Sequence, residues 1–116
     1  MGSITPPKEA RVVIVGGGII GCSIAYHLAH AGWKDVVLLE RDRLTSGTTW
    51  HAAGLMVTFG SFSETSTEMR KYSRDLYERL EAETGQATGL KKIGFIEVAG
   101  DKDRLEEYRQ IGRAHV

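Results

Sequence analysis

The first 40 residues alternate between two short apolar runs and a helical pattern. Residues 11–15 (Arg-Val-Val-Ile-Val) and 35–40 (Asp-Val-Val-Leu-Leu-Glu) are rich in β-branched and aliphatic side chains, which is typical of strands buried on both faces of a parallel sheet. Between them, residues 18–31 have a helical pattern, and Gly32 supplies a helix stop. Apolar side chains recur there at spacings of four: Ile20, Ile24 and Leu28. The pattern therefore predicts a βαβ unit whose two parallel strands are joined by a right-handed crossover.

The second half of the chain predicts two helices separated by a strand. Thr65 and Glu68 have the spacing of a capping box, so we expect a helix that begins there and ends before Gly85. Its predicted buried positions are Met69, Tyr72, Leu76 and Leu80. Residues 93–99 favour a strand, and residues 101–110 favour a short charged helix.

Composition and charge narrow the function classes. Lys plus Arg and Asp plus Glu number 15 each, so the formal net charge is zero and gives no electrostatic basis for binding nucleic acid or an anionic membrane surface. Cys22 is the only cysteine, which excludes an intrachain disulfide and fits a reducing compartment. No apolar run approaches the roughly 20 residues that span a bilayer. The sequence predicts no metal site.

Both ends of the chain differ from its middle. Residues 1–10 are a polar, proline-containing lead-in that we expect to be disordered, and they lack the regions of a signal peptide. We therefore expect a cytoplasmic protein, or one of the mitochondrial matrix if a transit peptide is missing. Residues 111–116 (Ile-Gly-Arg-Ala-His-Val) match one reading frame of a common sequencing adapter. We expect a non-native tail after Gln110, with a natural polar tail as the alternative.

A glycine fingerprint lies between the first predicted strand and the first predicted helix. Gly16, Gly18 and Gly21 form the pattern G-x-G-x-x-G. The first allows a tight turn, the second removes the Cβ that would block a pyrophosphate, and the third lets helix and strand pack closely. The helix N-terminus, with Ile19 and Ile20, offers free N–H groups and a positive dipole end to phosphates.

Glu40 ends the second predicted strand and completes the fingerprint. A carboxylate in that position can accept hydrogen bonds from both ribose hydroxyls, whereas it would repel the 2′-phosphate of NADP. Arg41 and Arg43 follow Glu40 closely in the sequence, and arginine is the residue that accommodates a 2′-phosphate in NADP-binding proteins. The alternative interpretation is a glycine-rich turn followed by an ordinary surface glutamate. The fingerprint by itself predicts an ADP-containing cofactor and does not separate NAD from FAD.

The segment after the second strand resembles a known enzyme family. Residues 41–55 read Arg-Asp-Arg-Leu-Thr-Ser-Gly-Thr-Thr-Trp-His-Ala-Ala-Gly-Leu. This stretch resembles the FAD-dependent amine dehydrogenases of the D-amino-acid oxidase superfamily, most of all the dimethylglycine and sarcosine dehydrogenases. Residues 76–85 and 94–96 are similar to the same group. The resemblance covers nearly all of residues 10–110, and residues 50–54 are its most specific part.

The resemblance implies an α/β FAD-binding domain of the Rossmann type, of which residues 11–110 are an incomplete N-terminal part. It implies hydride transfer to FAD from an N-methyl group of dimethylglycine or sarcosine, with His51 bonded to the 8α-methyl group of the flavin. Most substrate residues, and any tetrahydrofolate-binding domain, would lie beyond this chain, so no catalytic residue is assigned within it. The electron acceptor is open. The cofactor-contacting residues predicted by fingerprint and resemblance are Gly16, Gly18, Ile19, Ile20, Gly21, Glu40, Arg41, Ser46, Gly47, Thr48, Thr49, His51 and Gly54.

Two other function classes stay open at this point. A flavin amine or amino-acid oxidase would use oxygen and tether its flavin elsewhere or not at all. A non-catalytic relative of the same fold, like the regulatory subunit of pyruvate dehydrogenase phosphatase, lacks the Trp-His pair in the corresponding segment, so Trp50 and His51 argue against it. The chain alone is expected to be inactive and, because of its open sheet edge, poorly soluble.

Overall fold

The computed structural model describes residues 5–58 and 63–114. The elements in chain order are β1 (Val12–Val15), α1 (Ile19–His30), β2 (Val36–Leu39), a 3₁₀ turn (Thr48–His51), α2 (Glu64–Thr84) and α3 (Lys102–Ala114). The chain divides into an N-terminal unit, residues 1–54, and a C-terminal unit, residues 55–116. Residues 1–4 of the predicted lead-in and 115–116 of the predicted tail lie outside the described residues.

The N-terminal unit is a βαβ unit, as the apolar pattern predicts. Strands β1 and β2 pair in parallel, with Val12 opposite Val36 and Val15 opposite Leu39. Helix α1 ends in a Schellman motif, in which the Gly32 amide donates to the Ala29 carbonyl and the Trp33 amide to the Leu28 carbonyl. Gly32 has a φ of +80°, a conformation that glycine adopts without a Cβ penalty. The α/β class and the parallel sheet are therefore confirmed.

The prediction that the strands are buried on both faces is wrong for this chain. Ile14 is 8% exposed, whereas its neighbours Val13 and Val15 are 53% and 84% exposed. Alternate strand residues point to opposite faces, and the described residues supply one crossover helix to a two-stranded sheet. The face that contains Val13 and Val15 is left largely open. The apolar stripe of α1 is also exposed at Ile20 and Ile24.

Helix α2 begins at a different cap from the predicted one. Ser63 is the N-cap, and its hydroxyl accepts a hydrogen bond from the Ser66 amide at 3.3 Å. Thr65 therefore lies inside the helix, and Glu68 binds Lys71 at 2.8 Å instead of closing a capping box. The predicted pair failed because several hydroxyl residues precede this helix, and any of them satisfies the same local rule.

The predicted apolar stripe of α2 is only partly buried. Leu76 is 7% exposed, but Met69 is 67% and Tyr72 is 47% exposed. Leu80 is half-buried. The most buried residue of the helix is instead Thr67, at 3%. Two helices and an irregular connection offer too little apolar surface to cover four large side chains. The predicted end of the helix is confirmed, because Gly85 caps it with a φ of +72°.

The strand predicted over residues 93–99 is wrong, because the described residues from 86 to 99 contain no helix or strand. Ile93, Ile96 and Val98 are all more than 80% exposed. Their alternating apolar pattern has strand character, but a strand needs a neighbour to receive its backbone hydrogen bonds. Helix α3 is longer than predicted and continues from Lys102 to Ala114. The non-native origin of residues 111–116 stays a prediction.

Candidate functional site

The glycine turn between β1 and α1 is fixed by two close backbone approaches. The Gly16 amide donates to the Leu39 carbonyl at 2.8 Å, and Gly16 has a φ of +103°, which strongly favours glycine. A Cβ added at Gly21 would lie 1.9 Å from the Gly16 carbonyl oxygen. Only glycine at position 21 therefore lets α1 start this close to the turn.

The N-terminus of α1 has no cap from its own flanking residues. Gly18 is the N-cap and has no side chain, and the first turn contains no acidic residue. Helix N-termini leave their first amides without intrahelical acceptors. One of these, the Ile19 amide, donates to the Thr49 hydroxyl at 2.9 Å. A Cβ at Gly18 would lie 3.1 Å from that same hydroxyl oxygen, so the 3₁₀ turn lies close to the N-terminal end of α1.

The Glu40 carboxylate lies directly beside the glycine turn. Its Oε2 accepts a hydrogen bond from the Gly17 amide at 2.7 Å, and its Oε1 accepts one from the Asp42 amide at 3.0 Å. The Gly17 amide, and then the Asp42 amide, lower the pKa of the Glu40 carboxyl below its ordinary value. The group is therefore ionised near neutral pH. Each carboxylate oxygen has two lone pairs, so both can still accept a ribose hydroxyl.

Gly17 and Leu44 are site residues that sequence reasoning missed. Gly17 is buried, and a Cβ there would lie 2.5 Å from the Leu44 Cδ2 and 3.1 Å from the Glu40 Cβ. The Gly17 carbonyl also accepts a hydrogen bond from the Thr45 amide at 2.9 Å. The fingerprint leaves this position free, so a third adjacent glycine was the available signal for Gly17. No local pattern pointed to Leu44.

His51 is exposed at the end of the 3₁₀ turn, with one ring nitrogen engaged. Its Nδ1 lies 3.1 Å from the Gly47 carbonyl oxygen. A carbonyl oxygen only accepts, so in this contact Nδ1 carries the proton and donates. A neutral imidazole then has an unprotonated Nε2. The arrangement presents that nitrogen's lone pair as a possible nucleophile.

The other residues predicted to contact the cofactor lie on the exposed loop that follows β2. Within the described residues, no hydrogen bond joins Arg41, Ser46, Thr48 or Gly54 to the glycine turn. The geometry thus brings together the glycine turn, Glu40 and Thr49. The rest of the predicted set lies along the exposed loop after β2, without hydrogen bonds to the glycine turn among the described residues. No group of three or more potential metal ligands occurs in the described part of the chain. Nor does that part hold a helix with the length and apolarity to cross a membrane.

The residues present fit an ADP-containing cofactor. The Gly16 turn, the side-chain-free N-cap Gly18 and the first amides of α1 form a cradle for an anionic pyrophosphate. The ionised Glu40 lies at the end of β2, on the other side of Gly17. This donor-and-acceptor set matches a pyrophosphate followed by a ribose, since amides face the anion and a carboxylate faces hydroxyl groups.

Comparison with known proteins agrees with this geometry. The family model described as DAO, FAD dependent oxidoreductase, matches residues 11–116. The chain is 47% identical over 109 residues to the mitochondrial pyruvate dehydrogenase phosphatase regulatory subunit of Mus musculus, covering 94% of this chain and 12% of that protein. It is 47% identical over 111 residues to the mitochondrial dimethylglycine dehydrogenase of Rattus norvegicus, covering 90% and 12%. It is 45% identical over 106 residues to the human mitochondrial sarcosine dehydrogenase, covering 90% and 11%.

The chain thus spans about 12% of the length of the relatives it matches. The family match nevertheless covers both units and includes the glycine turn, Glu40 and the 3₁₀ turn. On this basis, the chain belongs to the DAO family of FAD-dependent oxidoreductases.

Proposed function

We propose that this chain supplies the ADP-binding part of an FAD-dependent dehydrogenase that oxidises the N-methyl group of a glycine derivative, either dimethylglycine or sarcosine. The observation that carries the proposal is the cradle formed by the glycine turn, the start of α1 with its side-chain-free N-cap Gly18, and the ionised Glu40. The names of the dimethylglycine and sarcosine dehydrogenases support the substrate class.

The residues of the N-terminal unit divide the binding of FAD among them. Gly16, Gly18 and Gly21 with the first amides of α1 hold the pyrophosphate, and Glu40 accepts the ribose hydroxyls. Further contacts to the cofactor come from Ile19, Ile20, Arg41, Ser46, Gly47, Thr48, Thr49 and Gly54. When bound, FAD supplies the hydride-accepting chemistry, and the protein supplies binding and orientation.

We further propose that His51 is the residue that bonds covalently to the 8α-methyl group of FAD. The Gly47 carbonyl holds the proton on Nδ1, so Nε2 would form the bond to the 8α-carbon in place of one methyl hydrogen. That hydrogen would leave as a proton, and the electron pair of its bond would reduce the flavin, which dioxygen would then reoxidise. A neutral imidazole nitrogen with an available lone pair is a competent nucleophile. The exposure of the ring makes it accessible to a bound cofactor.

The remaining partners are assigned by the same reasoning. The substrate is a small N-methyl amino acid, most of whose contacts lie in the large part of the relatives' length that this chain does not span. Tetrahydrofolate is a possible carbon acceptor in such a further part, and the electron acceptor is left open. Relatives named as mitochondrial favour the mitochondrial matrix over the cytoplasm.

The test uses the full-length protein, purified with its flavin. Anaerobic addition of dimethylglycine or sarcosine should bleach the flavin absorbance, and a dye should restore it faster than oxygen does. Rapid peroxide production would instead favour an amine oxidase. Mass spectrometry after acid precipitation should find FAD attached to the peptide that contains His51. Flavin released intact by acid would remove the covalent assignment while leaving the substrate class standing.

A second candidate is a non-catalytic regulatory subunit, because the relative of that description is as similar as the dehydrogenase, at 47% identity. A regulatory protein of this fold would retain the cradle and fail to reduce its flavin with any N-methyl amine. Binding of the full-length protein to a phosphatase catalytic subunit, together with absence of flavin bleaching, would select this function.

A further inference from the structure

The loop that contains the 3₁₀ turn is exposed except at one residue. From residue 41 to residue 57, Thr49 alone is half-buried, and every other residue is exposed. Its hydroxyl oxygen lies 2.9 Å from the Ile19 amide nitrogen, across a separation of 30 residues in sequence. The start of this loop is held separately, because the Thr45 amide donates to the Gly17 carbonyl at 2.9 Å. Within the 3₁₀ turn itself, the Thr49 hydroxyl makes the hydrogen bond to the start of α1.

Thr49 and His51 lie two residues apart in the same 3₁₀ turn, whose hydrogen bonds are accepted by the Gly47 and Thr49 carbonyls. The Gly47 carbonyl accepts from both the Trp50 amide and the His51 Nδ1, each at 3.1 Å. The Thr49 carbonyl accepts from the Ala52 amide at 3.3 Å. The imidazole and the Thr49 hydroxyl therefore belong to one hydrogen-bonded turn of four residues. A displacement of Thr49 should therefore also displace the imidazole.

Thr49 also performs a task that the helix cannot perform locally. An N-cap is usually a Ser, Thr, Asp or Asn whose side chain accepts from a first-turn amide. Here Gly18 has no side chain to do so, and a Cβ there would lie 3.1 Å from the Thr49 hydroxyl oxygen. The Thr49 hydroxyl substitutes for it from a distant loop. The same hydrogen bond caps the helix and fastens the loop.

We propose that Thr49 is a positioning residue that anchors the His51-bearing turn to the N-terminus of α1. The expected effect on covalent flavin attachment rests on the proposed role of His51. The expected effect on amide hydrogen exchange rests on the geometry alone. The anchoring sets the position of the imidazole relative to the phosphate-binding end of the helix. Loss of the hydroxyl should misplace His51 without removing the cradle.

The experiment compares Thr49→Val, which keeps the side-chain shape, with Thr49→Ser, which keeps the hydroxyl, in the full-length protein. Thr84→Val is the matched control, because it removes a 2.7 Å hydroxyl hydrogen bond to the Leu80 carbonyl in the other unit. Residue-resolved amide hydrogen exchange follows Ile19 and Ala52. The flavin content before acid precipitation gives the total amount of bound FAD. The flavin that stays with the precipitated protein gives the covalently attached amount.

In Thr49→Val, exchange at Ile19 and Ala52 should accelerate about fivefold, the expected effect of losing a side-chain cap. The fraction of bound flavin that becomes covalent in a fixed time should fall about 10- to 100-fold, as expected for a nucleophile displaced by about 1 Å. Thr49→Ser and Thr84→Val should match the wild type at these sites.

Two outcomes would overturn the proposal. Unchanged exchange at Ile19 and Ala52 in Thr49→Val would show that the turn is held by other contacts. Loss of total FAD with an unchanged covalent fraction would show that Thr49 acts in cofactor binding alone and does not position His51. If the wild type retains no flavin after acid, the covalent role of His51 fails, and the exchange measurement alone then decides the anchoring.

Discussion

At the scale of single residues, the glycines of the turn are required for different physical reasons. Gly16 has a positive φ, Gly21 leaves room for a carbonyl oxygen, and Gly17 leaves room for side chains. The differences matter because a flexible side chain can move aside at modest cost, whereas a backbone carbonyl in a hydrogen-bonded turn cannot. Substitutions within one short motif should therefore have very different consequences.

Gly21→Ala should be the most damaging of these changes. Its Cβ would lie 1.9 Å from the Gly16 carbonyl oxygen, so α1 must move away from the turn. We expect a loss of about 2–3 kcal/mol in the free energy of unfolding, the upper part of the range for overpacking, and weaker FAD binding. Thermal unfolding and flavin fluorescence quenching of the full-length protein measure both effects.

Gly100→Ala is the matched control for Gly21→Ala, because a Cβ at Gly100 would meet no atom within 4 Å. It should leave both the unfolding temperature and the FAD affinity near their wild-type values. Equal behaviour of the two variants would contradict the packing argument for the third glycine of the fingerprint.

Glu40→Gln should change how stability depends on pH. The Gly17 and Asp42 amides lower the pKa of the folded-state carboxyl, so the folded state binds fewer protons than the unfolded chain. The stabilisation is fully present above the unfolded pKa of about 4.3 and is lost as pH falls through the folded pKa. Urea unfolding should therefore show a smaller difference between about pH 7 and about pH 3 in the variant than in the wild type.

Glu9→Gln is the matched control, because it makes the same change of side chain at an exposed position of the lead-in. It should leave the FAD affinity near its wild-type value. An unchanged acid dependence in Glu40→Gln would mean that the two amide hydrogen bonds do not favour the ionised carboxylate in solution. FAD affinity near neutral pH should also fall in Glu40→Gln, since the charged ribose acceptor is lost.

The sequence predicted some of these residues and not others for a definable reason. Gly16, Gly21 and Glu40 occupy positions set by the local path of a βαβ unit, so spacing alone locates them. Leu44 was not predicted, and Thr49 entered the predicted set through the family resemblance, because both reach the glycine turn through a loop whose course no local rule specifies. Their contacts with Gly17 and Ile19 needed coordinates.

At the scale of elements, local signals predicted helix ends better than strands. The stops at Gly32 and Gly85 depend on a single glycine with positive φ, and both are present. The strand predicted over residues 93–99 depends on a partner, which the described residues do not supply. Burial of the α2 stripe depends on a partner too, and Met69 and Tyr72 are exposed. The parallel pairing of β1 and β2 was predicted correctly because the described chain contains both strands and the helix that joins them. The predictions that failed for lack of a partner are those whose second segment the described residues do not supply.

Gly85→Ala tests the terminal glycine of α2. Alanine at a φ of +72° is strained, and the Gly85 amide donates to the Glu81 carbonyl in a geometry that closes the helix. We expect a loss of about 1 kcal/mol in the free energy of unfolding of the C-terminal unit. Gly100→Ala again serves as the control, because Gly100 lacks a positive φ. A stability equal to wild type would mean that the helix end frays at no cost.

At the scale of the whole molecule, the apolar surface is distributed differently from that of a self-contained domain. The described residues bury few apolar side chains, among them Ile14, Leu76 and Ile111. Val15, Ile20, Ile93 and Ile96 are each at least 75% exposed. Two-stranded sheets are at best marginally stable in water. The exposed face of β1 and the open edges of the sheet are surfaces on which further strands and helices of a larger domain would pack.

This distribution predicts that the chain of 116 residues associates when it is produced alone. Exposed apolar strand faces and unpaired edges promote contacts between copies. Val15→Thr keeps a β-branched residue in β1 while replacing an 84% exposed apolar side chain with a polar one. It should shift the sedimentation distribution toward the monomer at equal concentration. Ile14→Thr, which changes the 8% exposed neighbour, should instead destabilise the βαβ unit and increase association. A wild-type chain that is monomeric at high concentration and unfolds cooperatively would show that the exposed sheet face does not drive association.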